Sequence, residues 1–201
     1  MKVKILALAA FALAFAACSP KGGWTPAELD IISADVPLPV LTIFDREENI
    51  FLRTPCSELS AEEIRSEHYG TLCKALLGTV TDPSQDGVGI AGPQVGLGRR
   101  IVAVQRFDKE GEPFEVYPNI RIVAVRGEME AGPEGCLSVP GWRGDVLRYR
   151  DVDIQYTSAA TLRDTLERVQ GFSAVIFQHE CDHLDGVLYI DKALPGSLRA
   201  R

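Results

Sequence analysis

Residues 171–184 have the sequence Gly-Phe-Ser-Ala-Val-Ile-Phe-Gln-His-Glu-Cys-Asp-His-Leu. Three apolar residues recur at helical spacing, and His179 and His183 continue the same stripe. Side chains four positions apart lie on one face of a helix. The spacing therefore predicts a helix over 171–184 whose two imidazoles face the interior of the protein. The apolar residues of the stripe are Phe172, Val175 and Ile176.

Two histidines four residues apart can bind one metal ion through one ring nitrogen each. Glu180 lies one position round from the stripe, where its carboxylate can reach a water at the metal and act as a general base without being a ligand. The alternative is a pair of core histidines beside a solvated glutamate. Burying two imidazoles side by side without a metal or hydrogen-bond acceptors is costly, which favours the metal site.

A catalytic ion needs a third protein ligand. No histidine follows His183, and Asp185 lies where the helix should end. The best candidate is Cys136, in the turn-like segment Glu-Gly-Cys-Leu-Ser at 134–138. Its thiolate and two imidazoles would leave one open position for water. The competing thiol, Cys181, points to the opposite side of the helix and is expected to be packed there.

The glycine-rich segment 86–96 contains the pattern G-x-G-x-x-G. A dinucleotide site is not favoured, because a polar turn precedes the segment and no helix is expected before the next strand. The remaining explanation is a backbone that closely approaches a substrate at Gly89, Ile90 and Gly92. Gln94 is the uncharged hydrogen-bonding side chain of this segment and is suited to stabilise an oxyanion.

The composition is that of one globular domain. The chain has 201 residues, 46% of them hydrophobic and 24% charged, and a formal net charge of -7. No basic run occurs, so no nucleic-acid partner is expected. The five cysteines contain no C-x-x-C pair, which excludes a zinc ribbon.

Elsewhere, a capping-box pattern followed by apolar residues at helical spacing predicts a helix over 61–78. Strands are predicted from the buried or alternating apolar runs at 101–104, 120–125, 146–148, 152–156 and 162–169. The order helix, strands, helix predicts an α+β fold with a mainly antiparallel sheet, packed around the C-terminal helix that carries the histidines.

The chain begins with two lysines and an apolar run that is too short to span a bilayer, which is typical of a signal peptide over 1–17. Small residues lead into Cys18, which resembles the lipobox of bacterial lipoproteins. We therefore expect a lipidated Cys18 with a spacer over 18–39, a catalytic domain over 40–201, and a protein held at the cell envelope facing the periplasm. The alternatives are an ordinary cleaved signal peptide, or a cytoplasmic protein whose start site is placed too early.

Membrane attachment is expected to depend on the lipid. Removing residues 1–17 takes away two lysines and no acidic residue, so the mature chain is more negative than the full one. Anionic membranes would repel such a chain.

Three segments, Gly-Ile-Ala-Gly-Pro-Gln at 89–94, Glu-Gly-Cys-Leu-Ser at 134–138 and Gln-His-Glu-Cys-Asp-His at 178–183, resemble the signature motifs of peptide deformylases in the same order. The resemblance covers roughly residues 40–192 and implies an α+β fold. It also implies a formyl-methionyl peptide as substrate, with formate as a product, and we expect a monomer.

Carried over by motif position, the resemblance implies that Cys136, His179 and His183 bind one ferrous ion, with zinc or nickel as possible replacements. It implies that Glu180 is the catalytic acid and base. Gln94 and the backbone N–H of Leu137 would be the oxyanion donors.

The chain departs from the family at four places. Gly92 replaces a usual alanine and is expected to loosen its loop, Pro118-Asn119 replaces a usual Asn-Pro, and residues 81–86 lengthen the loop before the first motif. The export signal is the fourth departure, because the usual substrates of the family are made in the cytosol.

Two other functions remain open from the sequence. A zinc peptidase acting on unblocked peptides would share the histidine-bearing helix. A non-catalytic metal-binding lipoprotein would need a fourth protein ligand, and no fourth thiol or imidazole lies within motif distance. His68, the one remaining histidine, is expected to be an ordinary residue of the first helix.

Overall fold

The computed structural model describes residues 23–85 and 87–201. The predicted signal peptide and Cys18 lie outside the described residues. Within the part that is described, no helix is long and apolar enough to cross a membrane.

The first half of the domain is helical. Its helices are α1 Pro26–Ile32, α2 Arg46–Leu52, α3 Ala61–Arg65 and α4 Glu67–Val80. The single helix predicted over 61–78 is thus two helices, because Ser66 adopts an extended conformation between them. The Ser66 hydroxyl accepts hydrogen bonds from the Tyr69 amide at 3.3 Å and from the Trp24 indole at 3.0 Å. The residue that ends α3 therefore also caps α4. His68 is half-buried on α4.

Helix α1 packs on the domain although its sequence lies in the predicted spacer. Ile32 and Leu38 are buried in the hydrophobic core with residues of α4. Glu28 forms an ion pair with Arg99 at 2.5 Å. The described part of the predicted spacer is therefore packed against the domain from Trp24 on.

The first sheet is antiparallel, with the order β1-β2-β3. Its strands are β1 Gly89–Ala91, β2 Ile101–Gln105 and β3 Phe114–Pro118. Only β2 follows from the apolar runs of the sequence. Strand β1 has three residues inside the glycine-rich segment, and one turn of 3-10 helix, Gly92–Val95, follows it.

Asn119 makes the turn after β3 with a positive φ of 56°. Its side-chain oxygen accepts a hydrogen bond from the Leu59 amide at 2.7 Å, and its side-chain nitrogen donates to the Leu59 carbonyl at 2.9 Å. The altered Pro118-Asn119 pair therefore still forms a turn, and it ties the sheet to the segment before α3.

The second sheet is also antiparallel, with the order β4-β5-β6 and β7 paired to β5. Its strands are β4 Arg121–Glu134, β5 Trp142–Thr157, β6 Asp164–Gln170 and β7 Arg199–Ala200. The two strands predicted at 146–148 and 152–156 are one continuous strand. The polar residues between them remain paired in the ladder, with Tyr149 opposite Met129 and Asp151 opposite Gln170.

Helix α5, Gly171–Leu184, has the predicted bounds and begins directly after β6. Gly171 has a positive φ of 68°, which lets the chain turn from strand to helix without a loop. The buried face of α5 packs on both sheets, with Phe177 and Ala174 in one cluster with Val102 and Val152. A short helix, α6 Tyr189–Lys192, follows. The predicted α+β fold around this helix is confirmed.

Candidate metal centre

Three predicted ligands meet in space although they come from two parts of the chain. Cys136 lies in the loop between β4 and β5, and His179 and His183 lie one turn apart on α5. One sulfur or ring-nitrogen atom from each residue lies within 4.8 Å of the others. The Cys136 Sγ is 3.2 Å from the His183 Nε2.

Cys136 is set up to be a thiolate. Burial opposes ionisation, but the charge of His183 and hydrogen bonds from both histidines outweigh it and hold the pKa of the Cys136 thiol well below its usual range. The Ser138 amide also donates a hydrogen bond to the sulfur at 3.4 Å. A thiolate is the form of cysteine that binds metals.

His179 is oriented by Glu134, a residue of the second motif to which the sequence assigned no role. The His179 Nδ1–H donates to a Glu134 carboxylate oxygen at 2.8 Å. Arg148, buried on β5, binds the same carboxylate at 2.7 and 3.1 Å. Burial alone would raise the pKa of Glu134, but hydrogen bonds from His179 and Arg148 outweigh burial and lower the pKa to about 2. With Nδ1 engaged, the His179 Nε2 is left for a metal.

These residues fit a divalent metal ion. Two imidazoles and one thiolate suit iron, zinc or nickel, and three protein ligands are typical of a catalytic site with an open position. A carboxylate oxygen of Glu180 is also buried without a hydrogen-bond partner among the described residues. Such a group is explained where a water or a substrate would complete its hydrogen bonding.

Cys181 does not belong to this group. It is buried on the opposite face of α5, in the cluster that joins the helix to both sheets. Burial raises the pKa of its thiol to about 12, so it remains protonated. The prediction that Cys181 is packed and Cys136 faces the histidines agrees with this placement.

Glu180 is buried beside the centre, and burial raises its pKa to about 7. The backbone of Gly89 lies directly against its carboxylate. A Cβ at Gly89 would collide with the Glu180 Oε1 and would lie 2.9 Å from a methyl group of Ile176. Strand β1 therefore holds the carboxylate in position, and only glycine allows the close approach.

Gln94 directs its side-chain N–H groups at the same centre. Its Oε1 accepts a hydrogen bond from the Ala91 amide at 2.9 Å, which fixes the orientation of the side chain. Its Nε2 then lies 3.5 Å from the Cys136 sulfur and 3.3 Å from the Ser138 hydroxyl. The sequence did not identify Ser138, which is fully buried behind the sulfur.

A cleft of about 480 Å³ opens in front of these groups. Leu137 lines it, and the Leu137 amide donates no hydrogen bond to any other residue within the described ranges. Ser84 and Gln85 also line the cleft. Two residues of the lengthened loop thus border the cleft.

Of the three backbone positions predicted to approach a substrate, the structure brings only Gly89 to the cleft. Ile90 is fully buried in the hydrophobic core. Gly92 is buried and does not line the cleft, and a Cβ there would lie 2.6 Å from the Arg99 carbonyl oxygen. Glycine at this position therefore permits close backbone packing, which corrects the expectation of a looser loop.

Comparison with known proteins agrees with this geometry. Residues 39–197 match the family model for polypeptide deformylase. A curated peptide deformylase of Symbiobacterium thermophilum is 42% identical over 114 residues, which cover 57% of this chain and 51% of that relative. The chain thus aligns with about half the length of this relative.

Solved structures show the same fold. A peptide deformylase of Synechococcus elongatus in complex with actinonin superposes with a TM-score of 0.69 at 34% identity, covering 81% of this chain and 84% of that one. A class I type b peptide deformylase of Acinetobacter baumannii with Met-Ala-Ser bound has a TM-score of 0.68 at 34% identity. That match covers 78% of this chain and 98% of the other.

Proposed function

The chain belongs to the polypeptide deformylase family, and from this premise we propose that it hydrolyses the formamide bond of formyl-methionyl peptides and releases formate. The observation that carries the proposal is the buried Glu180 beside the cluster of Cys136, His179 and His183, with Glu180, Cys136 and His179 lining one open cleft. The Acinetobacter relative was solved with Met-Ala-Ser bound, a peptide that begins with methionine, as the product of deformylation would.

The proposed cofactor is one ferrous ion, held by Cys136, His179 and His183, with zinc or nickel as functional replacements. When bound, a divalent ion supplies Lewis acidity, which polarises the formyl carbonyl and lowers the pKa of water. The thiolate donates more charge than a third imidazole would and makes the site sensitive to oxidation.

Glu180 moves the protons in the proposed reaction. Its carboxylate accepts a proton from the attacking water, and the resulting oxygen nucleophile adds to the formyl carbon. Glu180 then donates this proton to the methionine nitrogen as the bond between that nitrogen and the formyl carbon breaks. The products are formate and a free amino terminus. A pKa near the working pH suits a group that must accept and return one proton.

Gln94 and the Leu137 N–H stabilise the negative charge that develops on the formyl oxygen. Gln94 is prepared for this role because the Ala91 amide fixes its carboxamide and leaves Nε2 facing the centre. One well-placed donor contributes about 3 kcal/mol to stabilisation of such a transition state.

The test is an assay of metal-loaded protein with three matched peptides. They are formyl-Met-Ala-Ser, acetyl-Met-Ala-Ser and unblocked Met-Ala-Ser, with formate and free amine measured separately. We expect formate only from the first peptide and no cleavage of the bond after methionine in any. Cleavage of the unblocked peptide without formate release would instead establish the peptidase alternative.

The proposed location is the cell envelope, with the domain tethered through a lipid on Cys18. Its support is the sequence before residue 24: a charged start, an apolar run of signal-peptide length and small residues leading into a cysteine. Trp24 packs on the domain. Five residues, 19–23, lie between Cys18 and Trp24 in the sequence.

A further inference from the structure

Tyr189, the first residue of α6, packs against a predicted metal ligand. Its ring centroid lies 6.2 Å from that of the His179 imidazole, with 23° between the two ring planes. This is a stacked arrangement within the usual distance range of aromatic pairs. Tyr189 is buried, with 1% of its surface exposed. The motifs of the sequence do not include this residue, and the proposed mechanism gives it no part.

The His179 imidazole is restrained by its neighbours in different ways. Glu134 accepts a hydrogen bond from Nδ1 at one edge of the ring. The His183 ring lies edge-on to it, with 5.0 Å between centroids and 71° between planes. The second side-chain torsion of histidine is broad, so a hydrogen bond at one edge does not by itself fix the plane of the ring. Tyr189 packs nearly parallel to this plane and therefore limits its rotation.

Tyr189 also packs on the side of the centre that carries the thiol. It forms a hydrophobic cluster with Val139 and Val146, and Cys136 packs against this cluster. Val139 and Cys136 belong to the loop between β4 and β5. One buried ring thus contacts both parts of the chain that supply the predicted ligands.

Ion pairs on both sides fix the helix that carries Tyr189. The Asp191 carboxylate accepts two hydrogen bonds from Arg53, at 2.7 and 3.1 Å. Lys192 donates to Asp182 on α5 at 2.6 Å. Helix α6 is therefore tied to the end of α2 and to the helix of the two histidines, and the position of the tyrosine ring is set by the fold.

The ring of Tyr189, and not its hydroxyl, makes the contact with His179. The hydroxyl oxygen is buried and has no hydrogen-bond partner among the described residues. A buried polar group without a partner lowers stability, so phenylalanine could replace tyrosine here and retain the packing. The contribution of the ring can therefore be separated from that of the hydroxyl.

On the basis of the proposed metal site and activity, we propose that Tyr189 is a positioning residue whose ring fixes the plane of the His179 imidazole. With the plane fixed, the His179 Nε2 faces the ion together with the Cys136 sulfur and the His183 Nε2. Without the ring, the imidazole can rotate and must be ordered again when the ion binds. We expect metal affinity to fall by about tenfold, the lower end of the usual effect of removing a group that orients a ligand.

The test uses Co²⁺ as the probe, because its visible absorption spectrum reports coordination geometry. Affinity is measured by competition with a chelator on the Co²⁺-loaded protein. Tyr189→Leu and Tyr189→Met remove the ring, and both should bind Co²⁺ about tenfold more weakly, with an altered spectrum. Tyr189→Phe keeps the ring and should keep the affinity and the spectrum. Tyr69→Leu removes a buried tyrosine ring of α4 far from the ligands in the core, and it should lower stability without changing either measurement.

Unchanged affinity and spectrum in Tyr189→Leu and Tyr189→Met would overturn this inference and leave the proposed function standing. Losses in Tyr189→Phe as large as those in Tyr189→Leu would also overturn it, because the effect would then belong to the hydroxyl. Equal losses in Tyr69→Leu would assign the effect to stability alone. Failure of the unaltered protein to bind Co²⁺ would instead overturn the proposed function, and with it this inference.

Discussion

The Glu134 carboxylate and the His179 Nδ1 lie 2.8 Å apart, so the last residue of β4, two positions before the thiol, orients the first histidine of α5. Arg148 clamps the same carboxylate from β5 with two hydrogen bonds, and it reaches Asp182 on α5 at 2.6 Å. The ligand loop, the second sheet and the helix are therefore joined by one buried set of charges. This arrangement makes the metal site depend on residues that touch no metal.

Glu134→Gln should weaken metal binding by about 10- to 100-fold, the usual effect of removing a partner that orients a ligand. The amide cannot balance the buried charge of Arg148 and is a poorer acceptor for the His179 N–H. Competition with a chelator measures the affinity. Glu130→Gln is the matched control, because Glu130 lies exposed on the same strand with only a surface ion pair. Equal affinity in the two variants would contradict the orienting role.

Glu180→Gln should retain the metal and lose on the order of 10²-fold or more in kcat. The amide preserves the volume of the side chain but cannot accept a proton from water. Metal content and formate release are measured on the same preparation. Near-normal turnover with a full complement of metal would show that another group is the base.

Cys136→Ser should lose metal affinity and activity together, because a hydroxyl is poorly ionised at neutral pH and binds soft metals weakly. Cys181→Ser should keep both, although the buried hydroxyl is expected to lower stability. The measurements are metal content after dialysis and formate release. Loss of metal from the Cys181 variant alone would mean that Cys181, and not Cys136, is the ligand.

Asp108→Asn should destabilise the domain in a pH-dependent manner. The hydrogen bonds from Arg106 lower the pKa of Asp108 to about 2, although burial opposes the shift. A carboxylate whose pKa falls on folding stabilises the folded state above its unfolded pKa of about 4, and this contribution is lost as the pH falls toward 2. We expect the free energy of unfolding to fall by about 1 kcal/mol at pH 7.

Urea unfolding of the metal-free protein between pH 7 and pH 3 measures this effect. The difference in the free energy of unfolding between the unaltered protein and Asp108→Asn should become smaller below pH 4. Asp35→Asn serves as the control, since Asp35 is exposed and forms no ion pair within the described part of the chain. If this difference in the free energy of unfolding does not change with pH, the destabilisation is due to packing and not to the charge of Asp108.

Cys18→Ser should release the protein from the membrane fraction, or block its processing, without changing formate release by the purified domain. The physical reason is that the mature chain is strongly acidic and would depend on the lipid for attachment. Labelled fatty acid and cell fractionation provide the measurement. Unlabelled protein in the cytosol with residues 1–17 still present would contradict the export proposal.

Helix α5, expected near 171–184, could be predicted closely because its signals are local. Gly171, the apolar stripe and the two histidines all lie within the fourteen residues of the helix. The break at Ser66 was missed because helical spacing continues on both sides of it. What ends α3 there is the extended backbone of Ser66, whose hydroxyl also receives the indole N–H of Trp24, 42 residues away.

Strand β5 shows the same limit. Its centre, around Arg150 and Asp151, is polar, and an apolar pattern alone divides it into two strands. Pairing with β4 and β6 supplies the missing hydrogen bonds, and Arg168 on β6 forms an ion pair with Asp151. Such partners lie far along the chain and leave no local periodicity.

The candidate ligand types, the helix that carries two of them and the candidate base between them could be predicted from the sequence, because these depend on residue identity and on a spacing of four. Tertiary contacts are what bring Glu134 and Arg148 to His179, bury Ile90 and Gly92 away from the cleft, and pair β7 with β5. The reason is physical. A helix repeats within its own sequence, whereas a buried ion pair or a strand pair joins residues whose separation in the chain carries no information about their contact.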